Sequence, residues 1–307
     1  MWRLISGIFL GWTLGSNDSA NVFGTAVAAK IVTYRTAVIL TAIFVVVGAL
    51  AEGEKCITTV GDFSTLTPKG AFFAALAAGI TMFILTYLAL PSSTSQAIIG
   101  AIVGARIISE TPDFSMLSKI VGCWVLTPIG GITISIILYH LIGILIVKYI
   151  FSPEIRSFIL YWSLILAGCL GAYALGSNNV ANVTGVYVGS GLLTPFEGLI
   201  IGSLSIASGV LTYSRKVMMT VGIKITPLDE YAAFIAMLSG AITVEIFTQL
   251  GVPVSSSQAI VGGVVGVGLV KGVRTLSKRT LIKVVVGWIV TPVSAGIISY
   301  VLRAIII

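Results

Sequence analysis

The chain has 307 residues, of which 57% are hydrophobic and 9% charged, with a formal net charge of +7. Soluble domains carry roughly 25% charged residues, so this composition excludes a water-facing surface and implies a polytopic membrane protein. The positive balance fits Lys and Arg gathered in cytoplasmic loops rather than a nucleic-acid partner, for which no motif is present, and three separated cysteines without a CxxC pair support neither a disulfide framework nor a zinc site.

Apolar stretches near the ~20 residues that a helix needs to span a bilayer recur along the chain. Nothing alternates at period two as barrel strands do, so the bundle is read as all-α. The first segment, 4–30, has one membrane-crossing length but carries GSNDSAN, Gly15–Asn21, at its centre. Ser, Asn and Asp compete for backbone hydrogen bonds and favour caps over helix interiors. That predicts two half-helices, broken at Ser16-Asn17-Asp18. The N-terminal part looks like a signal peptide, but a similar segment recurs at Trp162–Gly176, so it is read as a helix of the mature protein. A second helix is expected at about 35–53. The run Ala71–Leu90, the cluster PSSTSQ at Pro91–Gln96 and the run Ala97–Ile108 predict a re-entrant helical hairpin. Its second run is too short to span alone, and Pro-Ser-Ser-Thr reads as a helix stop followed by N-cap residues. A long helix holding Trp124 follows; His140, the sole histidine, lies among Leu and Ile near its end and is read as structural.

The plan then repeats. GSNDSAN returns as GSNNVAN at Gly176–Asn182, and PSSTSQAIIGAIVG matches PVSSSQAIVGGVVG at nine of fourteen positions. KIVGCWVLTP and KVVVGWIVTP match at five of ten. The offsets are 161 at Gly15/Gly176, 162 at Pro91/Pro253 and 164 at Trp124/Trp288. The chain is therefore read as two repeats, 1–150 and 151–307, a ground plan of secondary transporters. If the hairpin does not cross, each repeat crosses three times and the second is inverted. With the N-terminus outside, twelve basic residues fall on inner loops against six outside, so both termini are expected outside.

Inversion would gather four polar interruptions near the midplane. Helix N-termini there offer free N–H groups and partial positive charge to an oxyanion, and Ser93, Thr94, Ser95, Ser255, Ser256 and Ser257 add hydroxyls. An intramembrane Asp costs at least ~2.5 kcal/mol at a helix centre, a cost that a capping role for Asp18 does not require. No Lys or Arg lies within the four motifs. An anion would thus meet Asp18 without a fixed cation, unless mobile cations enter with it or Asp18 is protonated. The hard oxygen donors favour Na⁺ over a proton.

These residues resemble the inorganic phosphate transporter (PiT) family. The resemblance rests on GSNDSANVFGTAVAAKIVTYRTA, its second copy GSNNVANVTGVYVGSGLLTPFEG and the paired PSSTSQ/PVSSSQ tips, and it covers nearly the whole chain. It implies cation-coupled uptake of inorganic phosphate through inverted repeats in a homodimer. Carried over by position, its functional residues are Asn17, Asp18, Asn21, Asn178, Asn179, Asn182 and the tips Ser93–Gln96 and Ser255–Gln258. Many members have Asp in both signature copies; here the second has Asn179. Glu245, whose repeat partner is Phe83, is a candidate to compensate.

The expectation is a sodium-coupled phosphate importer in the plasma membrane working by alternating access. Phosphate is assigned to Ser93, Thr94, Ser95, Gln96, Ser255, Ser256, Ser257, Gln258, Asn21 and Asn182. Sodium is assigned to Asn17, Asp18, Asn178, Asn179 and Glu245, with no resident cofactor. A proton- or sodium-coupled sulfate permease is the runner-up, and an anion channel the reading from another class. With no Ser-His-Asp set and no metal-ligand cluster, an enzyme is not expected.

Overall fold

A computed structural model describes residues 2–88, 92–107, 113–224, 228–272 and 278–306. Pro91 and Leu90 at the first expected tip, and Ile108, lie outside the described residues. After a 3₁₀ turn at Trp2–Leu4 the described chain is helical and contains no strand. The helices are α1 (Ile5–Ala28), α2 (Tyr34–Glu52), α3 (Glu54–Ser64), α4 (Pro68–Tyr87), α5 (Thr94–Arg106) and α6 (Phe114–Tyr149). They are followed by α7 (Pro153–Gly189), α8 (Pro195–Tyr213), α9 (Arg215–Lys224), α10 (Glu230–Gln249), α11 (Ser256–Lys271) and α12 (Lys278–Ile306). Seven of them are long and apolar enough to cross a membrane: α2, α4, α6, α7, α8, α10 and the stretch Ile282–Ile305 of α12. The protein is a multi-pass helical membrane protein.

Local chemistry sets many of the starts. Thr67, Ser152 and Thr194 are N-caps, each followed by a proline at the first helical position, where the missing N–H costs nothing. Thr194 and Glu197 complete a reciprocal capping box. Ser93 and Ser255 cap α5 and α11, accepting from Gln96 N at 3.3 Å and Gln258 N at 3.2 Å. These caps begin the second arms of two helix hairpins, α4/α5 and α10/α11, whose arms pack on each other.

The expected break in the signature helices does not occur. α1 runs unbroken through Ser16-Asn17-Asp18, and α7 through Ser177-Asn178-Asn179. The polar side chains find partners that leave the helical backbone ladder intact. Ser16 Oγ donates back to Trp12 O at 2.8 Å, and Asn17 Nδ2 donates to Thr86 Oγ1 on α4 at 3.0 Å. Competition with the backbone is a local argument, and it loses where distant helices supply the acceptors. Helix N-termini facing Asp18, Asn21 and Asn182 are instead supplied by α5 and α11.

The two halves are interwoven. α1 packs on α8 and α9 while α7 packs on α2 and α3; α5 packs on α12 while α11 packs on α6. Glycines set how close the first pairs come. A Cβ at Gly15 would lie 1.9 Å from Ile206 O, and one at Gly176 would lie 2.0 Å from Val45 O. Gly209 meets Trp12 O, and Gly48 meets Tyr173 O, each at 2.0 Å. Each contact recurs at the 161-residue offset, so backbone-to-backbone packing positions both signature motifs in the same way. α6 and α12 present large apolar residues outward, among them Val125, Ile129, Ile289 and Val293, as a lipid-facing surface requires.

Candidate substrate and cation site

Unbroken signature helices bring their polar residues against the hairpin tips. Asp18 is 2% exposed. Its carboxylate accepts from Thr94 Oγ1 at 3.3 Å and Asn21 Nδ2 at 3.4 Å. Asn21 Nδ2 also reaches Ser256 Oγ at 3.5 Å. Asp18 and Asn21 on α1 thus join the first residues of both α5 and α11. A buried carboxylate with only neutral donors around it needs further compensation.

The second signature is tighter. Asn182 Nδ2 donates to Ser95 Oγ and to Asn179 Oδ1, both at 2.9 Å, and Ser95 Oγ donates to Val254 O at 2.6 Å. Asn178 grips the other tip: its Nδ2 donates to Thr248 Oγ1 at 3.0 Å and Val252 O at 3.1 Å, and its Oδ1 accepts from Val254 N at 2.9 Å. Asn17 with Thr86 is the counterpart of Asn178 with Thr248. Both amide groups therefore act as hairpin anchors. Ser255 and Ser257 share a hydrogen bond at 2.9 Å.

Two buried atoms of the second signature, Asn179 Nδ2 and Asn182 Oδ1, have no hydrogen-bond partner among the described residues. Such groups are costly when left unpaired, and here they offer a donor and an acceptor to a ligand. Gln96 and Gln258, 4% and 3% exposed, leave the Oε1 atom unpartnered in the same way. They line an open, mostly apolar groove of about 560 Å³ with Trp124, Trp288, Pro128 and Pro292, on the face that carries the exposed Val125, Ile129, Ile289 and Val293.

Comparison with known proteins decides the family. The sequence pattern of the Phosphate transporter family matches residues 14–162 and again 150–299. A Methanocaldococcus jannaschii protein named as a phosphate permease is 36% identical, over 99% of this chain and 97% of its own. A Rhizobium meliloti protein named as a low-affinity inorganic phosphate transporter is 30% identical over 95% and 92%. A Bacillus subtilis protein named sulfate permease CysP is 29% identical over 97% and 86%. The chain belongs to the phosphate transporter family. A solved structure of a protein described as a sodium-dependent phosphate transporter shares its fold, with a TM-score of 0.87 at 23% identity over 100% of this chain and 99% of that one.

In this member of the phosphate transporter family the predicted residues are spread over several places. Asp18, Asn21, Thr94 and Ser256 form one cluster, and Asn179, Asn182 and Ser95 form a second. Asn17 and Asn178, expected as sodium ligands, tie the hairpins down through their Nδ2 groups. Glu245 is brought to neither cluster. Its Oε1 accepts from Gln249 Nε2 at 2.6 Å, and the same amide donates to Glu52 Oε2 at 2.6 Å, at the junction of α2 and α3. Thr248, three residues further along α10, is buried, whereas Glu245 is half-buried.

Four residues around the site are not singled out by the sequence motifs: Thr86, Thr248, Lys55 and Lys216. The repeat offset carries the signal. Thr86 and Thr248 are related by 162, Lys55 and Lys216 by 161, so every polar residue repeated at those offsets is a candidate, inside a motif or not.

Proposed function

We propose that this chain imports inorganic phosphate together with sodium ions by alternating access. Asp18 carries the reading: a buried carboxylate that accepts from one hairpin tip and, through Asn21, approaches the other, with Ser and Thr hydroxyls at the capped starts of α5 and α11. The helix N-termini and hydroxyls suit a tetrahedral oxyanion. The carboxylate and amide oxygens suit a hard monovalent cation, which also offsets the charge that phosphate would otherwise meet. The sodium dependence of the structural relative supports the choice of ion.

In this reading phosphate lies between Ser93–Gln96 and Ser255–Gln258 with Asn21 and Asn182 beside it, and sodium sits against Asp18 and Asn179. The repeats 1–150 and 151–307 have inverted topology, with re-entrant hairpins, both termini outside and the chain paired as a homodimer. The unbroken signature helices fit this arrangement, because α5 and α11 supply helix N-termini of the kind that an anion needs.

Labelled-phosphate uptake into proteoliposomes tests it, with an inward sodium gradient, an inward proton gradient or neither, and with excess sulfate in parallel. Uptake driven by sodium and indifferent to sulfate is expected. Uptake lost to sulfate would move the assignment to the activity for which the B. subtilis relative is named. Flux without gradient dependence would leave a channel.

A further inference from the structure

Lys55 and Lys216 occupy equivalent positions, 161 residues apart. Each follows a helix junction: Gly53 between α2 and α3, and Ser214 between α8 and α9. Each ammonium crosses to the other half and reaches the last residue of a hairpin's first arm. Lys55 Nζ donates to Gln249 Oε1 at 2.5 Å, at the end of α10. Lys216 Nζ donates to Tyr87 O at 2.9 Å, at the end of α4, and lies 4.8 Å from the centroid of the Tyr87 ring. Tyr87 and Gln249 are themselves equivalent, at offset 162. The last carbonyls of a helix lack intrahelical partners and carry partial negative charge, so an ammonium there is well placed.

Both contacts abut the site. Gln249 follows Thr248, which holds Asn178, and Tyr87 follows Thr86, which holds Asn17. Beside Lys55, the buried Cys56 accepts from Asn178 Nδ2 at 3.7 Å. The surroundings differ in kind. Around Lys55 the positions are Glu52, Glu245 and Gln249, joined through the Gln249 amide. Their equivalents around Lys216 are Tyr213, Phe83 and Tyr87, with Trp12 packed 5.3 Å from Tyr213 and 6.3 Å from Phe83.

We propose that Lys55 and Lys216 are the latches of two gates, one at each mouth of the transport pathway, each tying a hairpin's first arm to the opposite repeat. Releasing Lys55 frees the α10/α11 hairpin; releasing Lys216 frees α4/α5. The Lys55 latch is set among carboxylates and the Lys216 latch among aromatic rings. The proposal rests on the alternating-access reading and adds the residues that would alternate.

Native Cys56 reports the first gate. In the full chain with Cys123→Ser and Cys169→Ser, reconstituted in lipid nanodiscs without phosphate, the rate at which a membrane-impermeant maleimide labels Cys56 is measured. Lys55→Ala is expected to raise it about tenfold or more, the loss of a charge-assisted hydrogen bond, and Lys55→Arg to leave it within about twofold of the parent. Lys216→Ala is expected to lower it, by shifting the population toward opening of the other mouth. Unchanged labelling in Lys55→Ala overturns the proposal, as does an equal rise in Lys216→Ala, which would mean general loosening. Monodispersity of each variant is checked first, and Lys55→Gln replaces Lys55→Ala if the latter fails. Phosphate uptake is measured separately. Expected labelling without phosphate uptake would sink the substrate reading and keep the gates; uptake with labelling unchanged would do the reverse.

Discussion

Asn182 Nδ2 donates to Ser95 Oγ at 2.9 Å, so the second signature helix holds the first hairpin. The opposite pairing, Asn21 with Ser256, is looser at 3.5 Å. The two halves thus hold each other's hairpins, and the half with the carboxylate does so more weakly. Asn182→Ala removes the tighter link and leaves Ser95 donating to Val254 O alone. The expected result is an apparent phosphate affinity about tenfold weaker, from loss of a bond worth roughly 1 kcal/mol and disorder in the tip it held. An unchanged KM in uptake assays would remove Asn182 from the site.

Asp18→Asn keeps an acceptor for Thr94 and the shape of the cluster, but removes the charge that attracts a cation. Gradient-driven uptake is expected to fall by about 10²-fold or more, with thermal stability unchanged or raised, because a buried charge is lost. Sodium-driven uptake at the parent rate would take Asp18 out of the coupling step.

Asn179→Asp tests the departure in the second signature. Asn179 Oδ1 already accepts from Asn182 Nδ2 at 2.9 Å, and its Nδ2 has no partner among the described residues. The substitution therefore loses no observed bond and adds a carboxylate facing Asn182, as Asp18 faces Asn21. A steeper dependence of uptake on sodium concentration, with a Hill coefficient above that of the parent, is expected. An identical sodium dependence would mean that position 179 binds no cation.

Much of this is legible in the sequence because duplication marks what matters twice. The paired motifs and the helix hairpins both follow from residues that recur at nearly constant offsets. The continuity of α1 and α7 does not follow. Asn17 is satisfied by Thr86, 69 residues away, and no local rule sees that acceptor. The surroundings of Glu245 are hidden from local rules in the same way. A lone acid in an apolar run invites a ligand role, yet its partners are Gln249 on its own helix and, through that amide, Glu52 on another. The short helices α3 and α9, which carry the lysines, lie in stretches of mixed polarity that give no membrane-spanning signal.

The packing of the signature helices gives the last prediction. Gly15→Ala places a methyl group 1.9 Å from Ile206 O, a backbone atom that no rotamer change can move aside. α1 and α8 must separate, which shifts Asp18 relative to Thr94. Overpacking of this kind costs roughly 1–3 kcal/mol, and here it also displaces the site, so Tm and uptake are both expected to fall. Gly176→Ala meets Val45 O at 2.0 Å and should behave alike. Gly122, inside α6, has nothing within 4 Å of its Cβ position. Gly122→Ala gains up to about 1 kcal/mol of helix propensity and should raise Tm slightly without changing uptake. Equal Tm shifts at Gly15 and Gly122 in thermal unfolding would mean that close helix approach does not position the motif.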